Sequence, residues 1–134
     1  MASRNRGKPK KGLRHLSSEP ASTEESNAVA AHFTEAQSPI VAAILGQSLI
    51  ENELDAMLRD RLAVNDDTHW AELNSDNGPL FSFNSKIMLG RVLKLYTAEL
   101  EHNLHIVRKI RNAFAHSKKL ITFDNQLIVA DCAR

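Results

Sequence analysis

"SPIVAAILGQSLIENELDAMLRDRL", residues 38 to 62, is the stretch whose reading decides the fold. Ser38 followed by Pro39 marks a helix start: a serine oxygen can accept from the orphan amides of a first turn, and proline at the first helical position has no amide to satisfy. Beyond it Ile50, Leu54, Met57, Leu58 and Leu62 recur at spacings of three and four, one apolar stripe of an α-helix. The earlier half, IVAAIL, is apolar nearly all round, which predicts a central position for it.

Working outward toward the C-terminus, "NDDTHWAELNS" (65 to 75) has Asp66 and Asp67 as candidate caps of a short helix, and Asn77-Gly78-Pro79 is a turn signal. Ser82 opens a helix expected to reach about Tyr96. Its predicted inward side carries Met88, Leu89, Val92, Leu93, Leu95 and Tyr96, and its outward side Asn84, Lys86, Gly90, Arg91 and Lys94. Thr97 caps a helix from Ala98 to about His116, giving a tight αα-hairpin. "LITFDNQLIV" (120 to 129) is β-rich and could form a small hairpin turned by Asp124-Asn125. Toward the N-terminus, Ser22 and Glu25 have capping-box spacing for a short helix over 27 to 35. The expected class is all-α: a helical bundle of three to four main helices, with a small C-terminal hairpin or extended tail. A disordered basic arm (1–27) precedes a single helical domain (28–134).

Charge is segregated along the chain. Residues 1 to 16 hold Arg4, Arg6, Lys8, Lys10, Lys11 and Arg14 with no acid, six of the 17 basic residues, which leaves 11 basic against 16 acidic groups in the remainder. A basic arm ahead of an acidic body can attract phosphates without reading sequence, so these six residues are candidate nucleic-acid contacts. An Arg- and Ser-rich start also suits a transit peptide, but Lys8-Pro9-Lys10 spoils an amphipathic helix there. The longest uncharged run, 39 to 50, falls short of the roughly 20 residues that span a bilayer, so a soluble, cytoplasmic protein is expected. One cysteine, Cys132, excludes an intrachain disulfide.

The helix that ends in "RNAFAH" (111 to 116) carries the candidate chemistry. With Leu100 at 0° and about 100° per residue, Ile106, Ile110, Phe114, Val107, Leu100 and Leu104 fill an arc from about 240° through 0° to about 40°, and Arg111 falls inside it at about 20°. A charge on a core-facing stripe needs a partner. Glu51 occupies the matching place on the stripe of the 38 to 62 helix, so a Glu51–Arg111 ion pair across the interface is expected. Asn112 and His116 lie on the polar side, with His116 about 140° from Arg111. That separation favours a composite site at a two-fold axis, where a second copy supplies the missing groups. Arg and His together form a minimal set for metal-free RNA cleavage through the 2′-hydroxyl. Equally, the pair Glu51 and Arg111 could simply fix helix register, and a histidine in a last turn could simply answer the helix dipole. Glu101, His102 and His105 raise the question of a metal, but His102 and His105, three apart on an outward face, have no convincing third ligand elsewhere and read as a solvated face, so no metal and no cofactor is expected. A Gly-rich phosphate loop, a nucleophile elbow and a helix-turn-helix are all missing from the pattern.

"NGPLFSFNSKIMLGRVLKLY", "ELEHNLHIVRKIRNAFAHS" and "ITFDN" together resemble the mannitol-operon repressor family, and the wider HEPN group of helical domains, over about residues 38 to 128. The resemblance implies one of two activities. Repressor-like members are small helical regulators of sugar-alcohol operons that work through protein partners. Catalytic HEPN members are homodimeric, metal-independent endoribonucleases, often toxins; on that pattern His116 serves as general base or acid, Arg111 stabilises the phosphorane and Asn112 positions the phosphate at the dimer cleft. The basic arm and the short C-terminal extension depart from the repressor pattern. The resulting expectation is a cytoplasmic, homodimeric negative regulator acting through a protein partner, with RNA or DNA held by the arm or the cleft. The alternative is a toxin-like ribonuclease.

Overall fold

Capping chemistry sets most helix boundaries in the computed structural model, which describes residues 21–35 and 38–134. The arm residues Arg4, Arg6, Lys8, Lys10, Lys11 and Arg14 lie outside it. The helices are α1 (Thr23–Glu35), α2 (Pro39–Arg61), α3 (Asp67–Leu73), α4 (Phe83–Val92), α5 (Ala98–His116) and α6 (Gln126–Cys132), with no strand among the described residues. The class is all-α. At the start of α1 the capping box closes in both directions: Ser22 N–H donates to Glu25 Oε2 at 2.7 Å and Glu25 N–H donates to Ser22 Oγ at 3.2 Å. These bonds, backbone first, hold the Glu25 carboxyl below its usual range. The helix therefore starts at Thr23, ahead of the expected residue 27. Ser82, Asp66 and Thr97 accept from Ser85, Thr68 and Leu100 amides as N-caps of α4, α3 and α5. Ser38 has the extended backbone of a cap but its side chain makes no capping bond.

Two helices end on residues that glycine would normally occupy. Ala63 (φ 54°) and Lys94 (φ 59°) are left-handed. Beside them Val64 N–H donates to Arg59 O and Leu95 N–H to Gly90 O, the six-to-one bond of a Schellman closure. The closure at Lys94 stops α4 at Val92, short of the expected Tyr96. Tyr96 then folds back, its hydroxyl donating to Ile87 O at 2.6 Å across Gly90, where any Cβ would collide with the phenol. At Gly78 a Cβ would strike the Glu72 and Leu73 carbonyls, which is why the turn after α3 needs glycine.

Helix α2 contacts α1, α4 and α5, and α5 also contacts α4 and α6. The core joins Leu54 and Leu58 of α2, Trp70 of α3, Leu80 of the loop before α4, Phe83 and Ile87 of α4, and Leu104 of α5. Leu58 and Ile87 are fully enclosed, and burials of that size each stabilise by about 1.5–3 kcal/mol. Arg59 lies over the Trp70 ring at 5.8 Å and pairs with Asp67, tying α3 to the end of α2.

Three expectations are corrected. The hairpin at 120–129 does not form: Asn125 accepts from Leu127 N–H at 3.0 Å as the N-cap of α6, and Phe123 packs on Phe114 instead of pairing in a strand. Asparagine suits a turn and a cap equally, and the β-rich composition of Leu127 to Val129 yields to the chance of burying Ile128. The inward face of α4 is also partly corrected, although Leu89, Leu93, Leu95 and Tyr96 do pack against the core as expected. Phe83, Lys86, Ile87 and Gly90 are buried, whereas Met88 and Val92 are 54% and 75% exposed. A helix ending at Val92 cannot count Leu93, Leu95 and Tyr96 on its wheel, and without them the stripe from Phe83 prevails. Finally, the first half of α2 is not central: Ile40, Val41 and Ile44 are 42%, 43% and 36% exposed. α1 lies against α2 through Phe33 over Gly46 and Asn52 to Ser26, yet buries no residue of its own.

Candidate functional site

Glu51 does not meet Arg111. It accepts from Lys86 Nζ of α4 at 2.9 Å, and Asp55, one turn further along α2, stands at the same 2.9 Å from that ammonium without an aligned hydrogen bond. Lys86 is only 5% exposed. Burial pushes its ammonium down, but Asp55 and Glu51 together outweigh that and hold it above the ordinary lysine range. Desolvation raises the Asp55 carboxyl, with Lys86 opposing. The buried ion pair predicted for α2 and α5 therefore exists between α2 and α4, with a lysine at its centre. Two carboxylates four residues apart on α2, and a lysine inside the Phe83–Ile87 stripe, are the sequence signals that identify it.

Arg111 instead donates from Nη1 to its neighbour Asn112 Oδ1 at 3.3 Å, both half-buried, and makes no ion pair among the described residues. Asn112 keeps its amide nitrogen free to donate. His116 is the last residue of α5 and exposed, with no hydrogen bond or ion pair among the described residues; Ser117 closes the helix by donating to Ala113 O at 3.0 Å. The structure thus joins Arg111 to Asn112 and leaves His116 open to solvent. On the same helix His105 Nε2 stands 4.0 Å from Glu101, whose other oxygen faces Arg91 at 3.4 Å. His105 Nδ1 and Arg108 Nε are enclosed without partners. Burial first, then Arg108, depresses the His105 imidazole.

One property of this segment escaped the sequence reading. From residue 102 to 123 there is no acid, while Arg108, Lys109, Arg111, Lys118 and Lys119 all occur there. An acidic net charge for the body conceals this local excess. No group of three His, Cys, Asp or Glu side chains suited to a metal ion stands among the described residues, and no described helix is long and apolar enough to cross a membrane.

No family model, curated protein or solved structure matches the chain.

Proposed function

We propose that the protein is a small cytoplasmic regulator of the mannitol-repressor type, a homodimer that lowers transcription of an operon through protein contacts. The observation that carries the protein-contact part is the first half of α2: residues 39 to 50 hold no charge, and Ile40, Val41 and Ile44 remain open on the isolated chain. Apolar groups left together at the surface favour association. A second copy is the occupant that suits this face, because a two-fold axis sets like against like and an uncharged face opposes no charge. The repressor part rests on the resemblance of the quoted residues. Light scattering tests the contact: the expected mass is a dimer, reduced to a monomer by Ile44→Glu with helicity retained. A monomeric wild type at working concentrations would contradict it.

A second reading is favoured by one specific observation, that Arg111 meets no carboxylate among the described residues and His116 is exposed within an acid-free segment. In a metal-independent endoribonuclease, His116 would take the 2′-hydroxyl proton as that oxygen attacks phosphorus, Arg111 would stabilise charge on the phosphorane, and the P–O5′ bond would break with a proton passing from an imidazolium to the leaving 5′-oxygen. Asn112 Nδ2 would orient a phosphate oxygen. Cleavage of RNA in EDTA by wild type, abolished in His116→Ala, is the outcome this reading requires.

A further inference from the structure

The buried apolar residues of α5 and α6 fall into two groups. Leu104 joins the core with α2, α3 and α4, whereas Ile106, Phe114 and Ile128 are buried apart from it. On a wheel of about 100° per residue, Ile106, Ile110 and Phe114 share an arc of about 80°, and Leu104 lies about 80° beyond Phe114. This second face of α5 meets the C-terminal segment: α6 contacts α5, and Phe123, ahead of the α6 cap, packs on Phe114 with ring centroids 4.9 Å apart. α6 has only 7 residues and buries one of them, Ile128, while Leu127 and Val129 are 80% and 47% exposed. A helix this short, anchored by one buried side chain and one ring contact, opens at a lower free energy than the helices of the core. Charge is divided across the same contact. Residues 102 to 119 carry cations and no acid, and residues 120 to 133 carry Asp124 and Asp131 and no cation. Yet Asp131 faces Arg134 at 3.7 Å, and Lys109, Lys118 and Lys119 meet no carboxylate among the described residues. α6 fills the apolar part of this surface and leaves its charged part unmatched.

We infer that α6 is a displaceable strap: it occupies, within its own chain, a docking groove on α5 whose external ligand is an acidic amphipathic helix of a protein partner. The chemistry of that ligand follows from what α6 supplies and what it lacks. It needs an aromatic ahead of the helix to pack on Phe114 and an aliphatic residue in the first turn, as Phe123 and Ile128 provide. It adds carboxylates beside the aliphatic residue, which Lys109, Lys118 and Lys119 can meet. A tethered helix competes at an effective concentration on the order of 1 mM, so it excludes weak apolar ligands and gives way to one that also matches the charge. The strap thereby sets a threshold for partner binding. The inference goes beyond the protein-contact reading, uses neither the first half of α2 nor Arg111 and His116, and requires no cleavage.

The test is fluorescence anisotropy of the full chain with a labelled synthetic peptide of residues 120–134. Ile128→Asp in the protein empties the groove and should tighten peptide binding about tenfold, the factor expected when a tether at about 1 mM stops competing with a peptide of about 0.1 mM affinity. The same substitution in the peptide should abolish binding. Leu127 and Val129 flank Ile128 by about 100° on either side, so a peptide with Leu127→Glu and Val129→Glu sets carboxylates beside the groove. It should bind the Ile128→Asp protein at least about threefold more tightly than the native peptide at low salt, and lose that advantage when Lys109, Lys118 and Lys119 are changed to alanine. In hydrogen exchange of wild type, the amides of Val129 to Cys132 should exchange at least about 100-fold faster than those of Leu104 to Phe114. Equal exchange of the two segments, loss of α1–α5 helicity in Ile128→Asp, peptide binding unchanged by that substitution, or no gain from the glutamates would each overturn the inference. None of these outcomes alters the wild-type dimer mass that tests the protein-contact reading.

Discussion

Lys86 sits where an apolar residue would ordinarily be, between Phe83 and Ile87 and facing two carboxylates of α2. Removing one member of a buried ion pair leaves the others desolvated, which typically costs about 3–5 kcal/mol. Lys86→Ala should therefore lower unfolding free energy by about 3 kcal/mol in urea titrations. A double-mutant cycle locates the pairing: coupling of Glu51 with Lys86 should reach about 1 kcal/mol or more, while coupling of Glu51 with Arg111 should be near zero. Strong Glu51–Arg111 coupling would refute the geometry. His105 offers a pH test. Its depressed folded pKa means that the folded state resists protonation, so its contribution to stability is present above the unfolded value of 6.5 and is lost as pH falls through the folded value. Thermal melts across this window should show wild type losing more stability than His105→Gln on acidification; parallel curves would remove the assigned cause.

At the scale of elements, two glycine questions have opposite answers. Lys94 holds a left-handed conformation that costs an L-residue about 1–2 kcal/mol, so Lys94→Gly should stabilise by about 0.5–1 kcal/mol after the added unfolded-state entropy is subtracted. Gly90→Ala would gain about 0.5–1 kcal/mol from helix propensity alone, but its methyl meets the Tyr96 phenol held on Ile87 O, and such overpacking costs about 1–3 kcal/mol. Destabilisation by Gly90→Ala that shrinks in a Tyr96→Ala background, where the ring is gone, is the expected pattern in chemical denaturation. These same elements show what was legible in the sequence. Caps were: Asp66, Ser82 and Thr97 act locally, and so does the Ser22–Glu25 box. The end of α4 was not, because Lys94 gives no glycine signal for its closure, and the overlong wheel then set Met88 and Val92 inside and Lys86 and Gly90 outside. Residues 120–129 misled for a different reason, since β-propensity in a short segment is weaker than one cap and one buried isoleucine. Arg111, Asn112 and His116 were legible as types and spacing. That Arg111 binds its own neighbour depends on rotamers, and that Glu51 belongs to Lys86 depends on which helix packs beside α2.

For the whole molecule, the core lies in the second half of α2 with α3, α4 and the start of α5, while the first half of α2 keeps an uncharged apolar face and the end of α5 an acid-free basic one. This polarity separates the two functional readings, because one depends on Ile40 and Ile44 and the other on Arg111 and His116. The measurement that separates them most directly is transcript level of the regulated operon in cells lacking the protein, complemented with wild type, with His116→Ala, or with Ile40→Glu/Ile44→Glu. The regulator account predicts repression restored by wild type and by His116→Ala, and not by the α2 variant although it accumulates folded. Repression abolished with His116→Ala, that variant being folded and dimeric, would contradict that account and leave RNA cleavage as the activity.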